Sequence, residues 1–99
     1  MIMMMRYSRS DKTVTREIGG ETLLIPITQV GVSLQKVYLL NETSAAIWRL
    51  LAAPQSLDSL VNALQTEYDA PEATIRRDVS ATLNQLVERS LVLAEPTDG

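Results

Sequence analysis

The hydrophobic pattern of this chain changes period near residue 41. Before that point it reads in steps of two. Thr13 to Ile18 alternates, with Val14, Arg16 and Ile18 on one face and Thr13, Thr15 and Glu17 on the other, the period of a strand with one polar side. Gly19-Gly20 follows, and glycine accepts the positive φ values of a tight hairpin turn. Glu21 to Ile27 is the returning strand. Pro26 in it lacks an amide donor and belongs near a strand end or at a bulge. Thr28 to Gln35, with Gly31, connects to a third strand over Lys36 to Leu40, apolar and rich in strand formers. If Val37 and Leu39 face the helices, Tyr38 and Leu40 face the other side, where an outward Tyr suits either peptide contact or plain sheet covering.

After Leu40 the period becomes helical. Asn41 is a good N-cap, because its side-chain oxygen can accept from an amide of the first turn. Glu42 sits where the helix dipole favours an anion. The first helix runs over about 42–52 and stops before Pro54. The second, near 57–67, opens at Ser56 with Asp58 in its first turn, and Leu57, Leu60, Val61, Leu64 and Tyr68 form one buried stripe. The third, near 71–89, opens around Asp69-Ala70-Pro71-Glu72, with Pro71 at the first helical position and Asp69 or Ala70 as its cap. Its core stripe is Ile75, Val79, Leu83 and Leu86. Leu91-Val92-Leu93 is a short apolar return. Residues 1–11 read as a loose N-terminus and residues 95–99 as a flexible polar tail. The expected fold is α+β: a three-stranded antiparallel sheet, then three helices, in one domain over 1–99. Leu39, Ile47, Leu50, Leu60, Leu64, Val79, Leu83 and Leu86 are expected in the core. Such a meander has two edges, and apart from Leu91 to Leu93 nothing later reads as a strand to cover either. An open edge is a liability unless it has a use, and strand addition by a peptide is one.

Composition narrows the function. The apolar share is 45%, enough for one modest core. Phe is absent and Trp48, Tyr7, Tyr38 and Tyr68 are the aromatics, so the core is aliphatic. Net charge is -3 with a pI of about 4.8, against the basic balance of a non-specific nucleic-acid binder. The sequence has no Cys and no His, which removes thiolate chemistry, disulfides, most transition-metal sites and the usual neutral-pH base. No metal site or cofactor is expected. Zero Cys fits the cytosol. Met1 to Met5 is too short for a signal-peptide core, and no apolar run approaches a membrane span. The chain reads as soluble and cytoplasmic, without a membrane or nucleic-acid partner.

The chemistry-bearing candidates are few. Asp58, Glu67, Asp69, Glu72 and Asp78 match no metal or hydrolase spacing and sit on polar faces or caps, so a solvated or structural role is favoured. Gly19-Gly20 lacks the Lys, the Ser/Thr and the strand-to-helix context of a phosphate loop. Trp48 is a core candidate before it is a ligand platform. On a helical wheel, Arg76, Ser80, Leu83, Asn84 and Val87 share a sector beside the core stripe of the third helix. Leu83 and Val87 make an apolar floor; Arg76, Ser80 and Asn84 make a polar rim. That sector suits a peptide wall as well as a solvated face.

Several stretches together resemble the PqqD-like family, the peptide chaperones also called RiPP recognition elements. They are Gly20-Glu21-Thr22-Leu23-Leu24-Ile25-Pro26, Tyr38-Leu39-Leu40-Asn41-Glu42-Thr43-Ser44-Ala45-Ala46-Ile47-Trp48, Leu60-Val61 through Tyr68, Asp78-Val79, Leu83, Leu86 and Ser90-Leu91-Val92. The resemblance covers about residues 14–93. Ser90 departs from the Gly common there, which weakens the expected helix C-cap. The resemblance implies a winged-helix-like fold and no catalysis. It implies that the leader of a ribosomally made precursor peptide adds as a strand beside the third strand, contacting Lys36, Val37, Tyr38, Leu39 and Leu40. The third helix, with Arg76, Ser80, Leu83, Asn84 and Val87, forms the other wall. The maturase in such systems is often a radical SAM enzyme, as in pyrroloquinoline quinone (PQQ) biosynthesis. This chain lacks the cysteines for such a cluster, so the enzyme would be a separate chain. The alternatives are a winged-helix DNA-binding protein, disfavoured by the acidic pI, and a small adaptor or oligomerisation domain that uses the edge to form a homodimer.

Overall fold

The computed structural model describes residues 3–28, 31–32 and 36–98. Its elements are β1 (Met3–Arg9), β2 (Thr13–Ile18), β3 (Glu21–Thr28), β4 (Gly31–Val32), β5 (Tyr38–Leu40), α1 (Glu42–Leu50), β6 (Gln55–Ser56), α2 (Leu57–Glu67), α3 (Glu72–Glu88) and β7 (Val92–Asp98). The expected α+β order is present. β2 and β3 form a two-residue hairpin with Ile18 opposite Glu21. Gly19 and Gly20 carry φ of +60° and +81°, the positive values that such a turn demands. β3 is the centre of the sheet: β5 pairs antiparallel with its N-terminal half and β4 with its C-terminal end.

Several expectations are corrected. Residues 3–9 of the expected loose N-terminus form β1, paired in register with β7 from Met3 opposite Asp98 to Arg9 opposite Val92. The apolar return and polar tail are therefore one strand, and β6 joins β1 on its other side. This second sheet escapes a periodicity search because β1 carries three consecutive methionines and β7 carries Pro96, so neither alternates cleanly. Its strands do not cover β5. In the expected 28–35 loop, Gly31 and Val32 pair back onto β3; residues 29–30 and 33–35 lie outside the described residues. The third strand is shorter than expected, with Lys36 and Val37 preceding it. Pro71 is the N-cap of α3, not its first helical residue, and makes no side-chain cap bond.

The faces of the sheet are fixed by burial. Thr22, Leu24 and Leu40 are buried and Tyr38 packs against the core. The Trp48 indole N–H donates to Thr15 Oγ1 at 3.0 Å. The inner face therefore carries Thr13 and Thr15, Thr22 and Leu24, Tyr38 and Leu40. This reverses the expectation for β5, since Leu39, expected in the core, is 61% exposed. Against the inner face lie Ile47, Trp48, Leu51, Leu60, Val61, Leu64, Val79, Leu83 and Leu86, all essentially dry. Leu50 is half-buried and packed against this cluster.

Arg9 ties the second sheet to α1. It donates through Nε and Nη2 to the Trp48 carbonyl at 3.0 and 2.6 Å, near a helix end where carbonyls lack helical partners, and its guanidinium lies 4.7 Å from the Trp48 ring centroid. Partial burial lowers its pKa from the ordinary arginine value. The α3 C-terminus closes as a Schellman motif: the Leu91 amide donates to the Leu86 carbonyl at 2.9 Å and the Ser90 amide to Val87 at 3.0 Å. Ser90 takes the left-handed position with φ of 60°. The cap forms despite the missing glycine, at the steric cost of a Cβ in that conformation. Ser90→Gly is therefore expected to stabilise the fold by about 0.5–1 kcal/mol, after the larger unfolded-state entropy of glycine is subtracted. Urea unfolding measures it; a destabilised variant would contradict the assignment.

Candidate functional site

β5 is three residues long and pairs with β3 on one side only. Among the described residues nothing pairs with its other edge. Asn41 joins β5 directly to α1, its Oδ1 accepting from the Ser44 amide at 2.8 Å. One flank of α3 faces this junction. A groove of about 320 Å3 is lined by Asn41, Thr43 and Ser44 on one side and by Asp78, Ala81, Thr82 and Gln85 on the other. At the opposite end of β5, the Arg89 guanidinium sits 4.7 Å from the Tyr38 ring centroid, a cation–π contact. β5 and α3 thus run in opposed directions, with Tyr38 near the end of the helix and Asn41 near its middle.

A second hollow of about 670 Å3 opens at the Asn41 end of the strand. Glu17, Gly20, Glu21 and Thr22 of the hairpin line it, with Leu39, Leu40, Asn41 and Glu42, then Ala45 and Arg49. Among the described residues no group of His, Cys, Asp or Glu could hold a metal ion. Two features of the site remain: an open row of backbone donors and acceptors, and a polar flank of helix across from it.

The expected site residues divide. Tyr38, Leu39 and Leu40 lie on the open strand, and Lys36 and Val37 are exposed ahead of it. Leu83 is a core residue at 1% exposure, and Val87 is half-buried against the core. Ser80 is half-buried and Asn84 exposed. Arg76, expected to face a groove, is instead held by the α2 first-turn residue Asp58 at 2.7 Å and by Glu72 at 2.9 Å. Those hydrogen bonds, Asp58 first, raise its pKa. The Arg76 flank of α3 therefore faces α2, and the flank beside β5 carries Asp78, Ala81, Thr82, Gln85 and Arg89. Asp78, Thr82, Gln85 and Arg89 follow each other at i, i+4, i+7 and i+11, a stripe as regular as the expected one. A wheel shows both flanks of the core stripe equally, and only the position of α2 separates them.

The family model of coenzyme PQQ synthesis protein D (PqqD) matches residues 21–92. The chain belongs to the PqqD family. That match begins at β3 and ends at the first residue of β7, so it takes in the β5 edge and the whole of α3. Solved structures agree with it. TbiB1, in complex with the TbiA(beta) leader peptide, is 27% identical, with a TM-score of 0.73 over 86% of this chain and 93% of that one. A lasso peptide synthetase B1 complexed with its leader peptide is 23% identical, with a TM-score of 0.70 over 88% and 96%. The PqqD truncation of Methylobacterium extorquens PqqCD, a stand-alone RiPP recognition element, is 16% identical, with a TM-score of 0.69 over 89% and 88%; these last two show the shared fold. No curated protein matches the chain. Among the described residues no helix is long and apolar enough to cross a membrane.

Proposed function

We propose that this chain is a non-catalytic chaperone that binds the leader of a ribosomally made precursor peptide and presents it to a separate modifying enzyme. The observation that carries the reading is the unpaired edge of β5 beside the α3 flank, in a chain 27% identical to a protein solved with a leader peptide bound. The leader adds antiparallel to β5, where main-chain hydrogen bonds supply affinity and flanking side chains select sequence. Residues 36–40 supply the backbone row. Tyr38, Asp78, Ala81, Thr82, Gln85 and Arg89 form the wall, while Leu83 is a core residue and Val87 lies on the Arg76 side of it. Arg76, Ser80 and Asn84 belong to the other flank.

The chemistry falls to the partner, because the sequence has no Cys or His with which to build a nucleophile–base pair. The resemblance favours a radical SAM maturase and a PQQ-type pathway, acting in the cytoplasm. Reconstituting leader binding with a purified maturase tests the choice of partner. Calorimetric titration tests the central reading: the leader half of the cognate precursor peptide is expected to bind and its core half is not. Binding of the core half alone, or of neither, overturns it.

A further inference from the structure

The charges around the β5 edge are sorted by sign along its length. At its start stand Lys36, exposed ahead of the strand, and Arg89 over Tyr38. At its end stand Glu42, the first residue of α1, and Asp78 across the groove. Glu17 and Glu21 line the adjoining hollow, offset there by Arg49 alone. Asp78 and Arg89 take part in none of the ion pairs found among the described residues. Arg77 and Glu88, their sequence neighbours, sit one helical step of about 100° away from this flank.

We infer that the groove selects a peptide strand by charge order: a basic residue towards its N-terminus and an acidic residue towards its C-terminus. This deepens the leader-binding reading and rests on it. All the pairings recorded in this sheet are antiparallel, and an antiparallel strand beside β5 puts its N-terminal part at Asn41 and its C-terminal part at Tyr38. Lys or Arg then meets Asp78, Glu42 and the acidic hollow, while Asp or Glu meets Arg89 and Lys36. The spacing follows from geometry. Asp78 and Arg89 are eleven helical positions apart in the sequence, about 16 Å at 1.5 Å per residue, or roughly five residues of strand at 3.3 Å each. The reversed order would set like charges against each other at both ends, a device that rejects wrong partners more than it tightens the right one.

A displayed library of random twelve-residue peptides, panned over the full chain, tests this. The expected winners shift the amide resonances of residues 38–40 and carry Lys or Arg about five positions before Asp or Glu. A synthetic winner with its two charges exchanged is expected to bind about fivefold more weakly, the scale of two exposed ion pairs. That gap should close in 1 M salt, where the screening length falls to about 3 Å. Asp78→Lys, at an exposed position, should remove the preference for a basic residue at the first site; a melting curve checks that it stays folded. Winners that shift residues 38–40 but show no charge order, or the opposite one, overturn the charge inference and leave the edge site standing. If no winner shifts residues 38–40, the edge site fails and the inference with it.

Discussion

Trp48→Ala is expected to lose about 3–5 kcal/mol of folding stability, the usual cost of emptying a large aromatic site in a packed core. The side chain is 1% exposed. Its indole bonds Thr15 of the main sheet at 3.0 Å, and its ring lies under Arg9 of the second sheet. Removing it opens a cavity, leaves the Thr15 hydroxyl without its donor and strips the apolar surface from Arg9. Trp48→Phe keeps most of the volume and loses only the N–H, so its cost should fall to about 1–3 kcal/mol. Urea unfolding of both variants, with an unchanged m-value, separates packing from hydrogen bonding. A loss below about 1 kcal/mol for the alanine variant would contradict the placement of Trp48 at the junction of α1 with both sheets.

Ala81→Trp is expected to weaken leader binding at least tenfold, or about 1.4 kcal/mol, while leaving the fold intact. Ala81 is exposed and lines the groove opposite Asn41, Thr43 and Ser44. An indole there fills space that an added strand must occupy, without touching a core residue. Arg76→Ala is the matched control. Its partners are Asp58 and Glu72 on the α2 side, so leader affinity should stay within twofold, the scatter of an exposed charge change. If Arg76→Ala weakens binding and Ala81→Trp does not, the other flank of α3 is the wall.

That choice of flank marks where the sequence stopped being legible. α2 was readable to the residue because Ser56 caps it, accepting from the Ser59 amide at 3.1 Å, and because its stripe is bounded by polar positions. The hairpin was readable because Gly19-Gly20 leaves few other turns open. β5 was visible as a strand but not in phase. Tyr38-Leu39-Leu40 has no polar alternation, and a shift of one residue exchanges the faces. Alternation counted from Val37 puts Leu39 inside, although it points out, and Leu40 outside, although it is buried. The second sheet was missed because β1 and β7 pair termini at opposite ends of the chain, a contact that local periodicity does not report. A helical wheel shows both flanks of the α3 core stripe alike and does not say which neighbour lies on which side, so the choice between the Arg76 flank and the Asp78 flank rests on the position of α2.

The outer strands compete as docking edges: β2, β4 and β5 in the main sheet, and β6 and β7 in the other. β5 is the edge whose Tyr38 meets Arg89 at the C-terminal end of α3. Isotope-filtered NOE spectroscopy on labelled protein with unlabelled leader peptide distinguishes them directly. Cross-strand contacts between peptide Hα protons and the backbone of residues 38–40, with side-chain contacts to Ala81, Thr82 and Gln85, are the predicted result. Cross-strand contacts to β2 or β7, or contacts confined to α2, would contradict it.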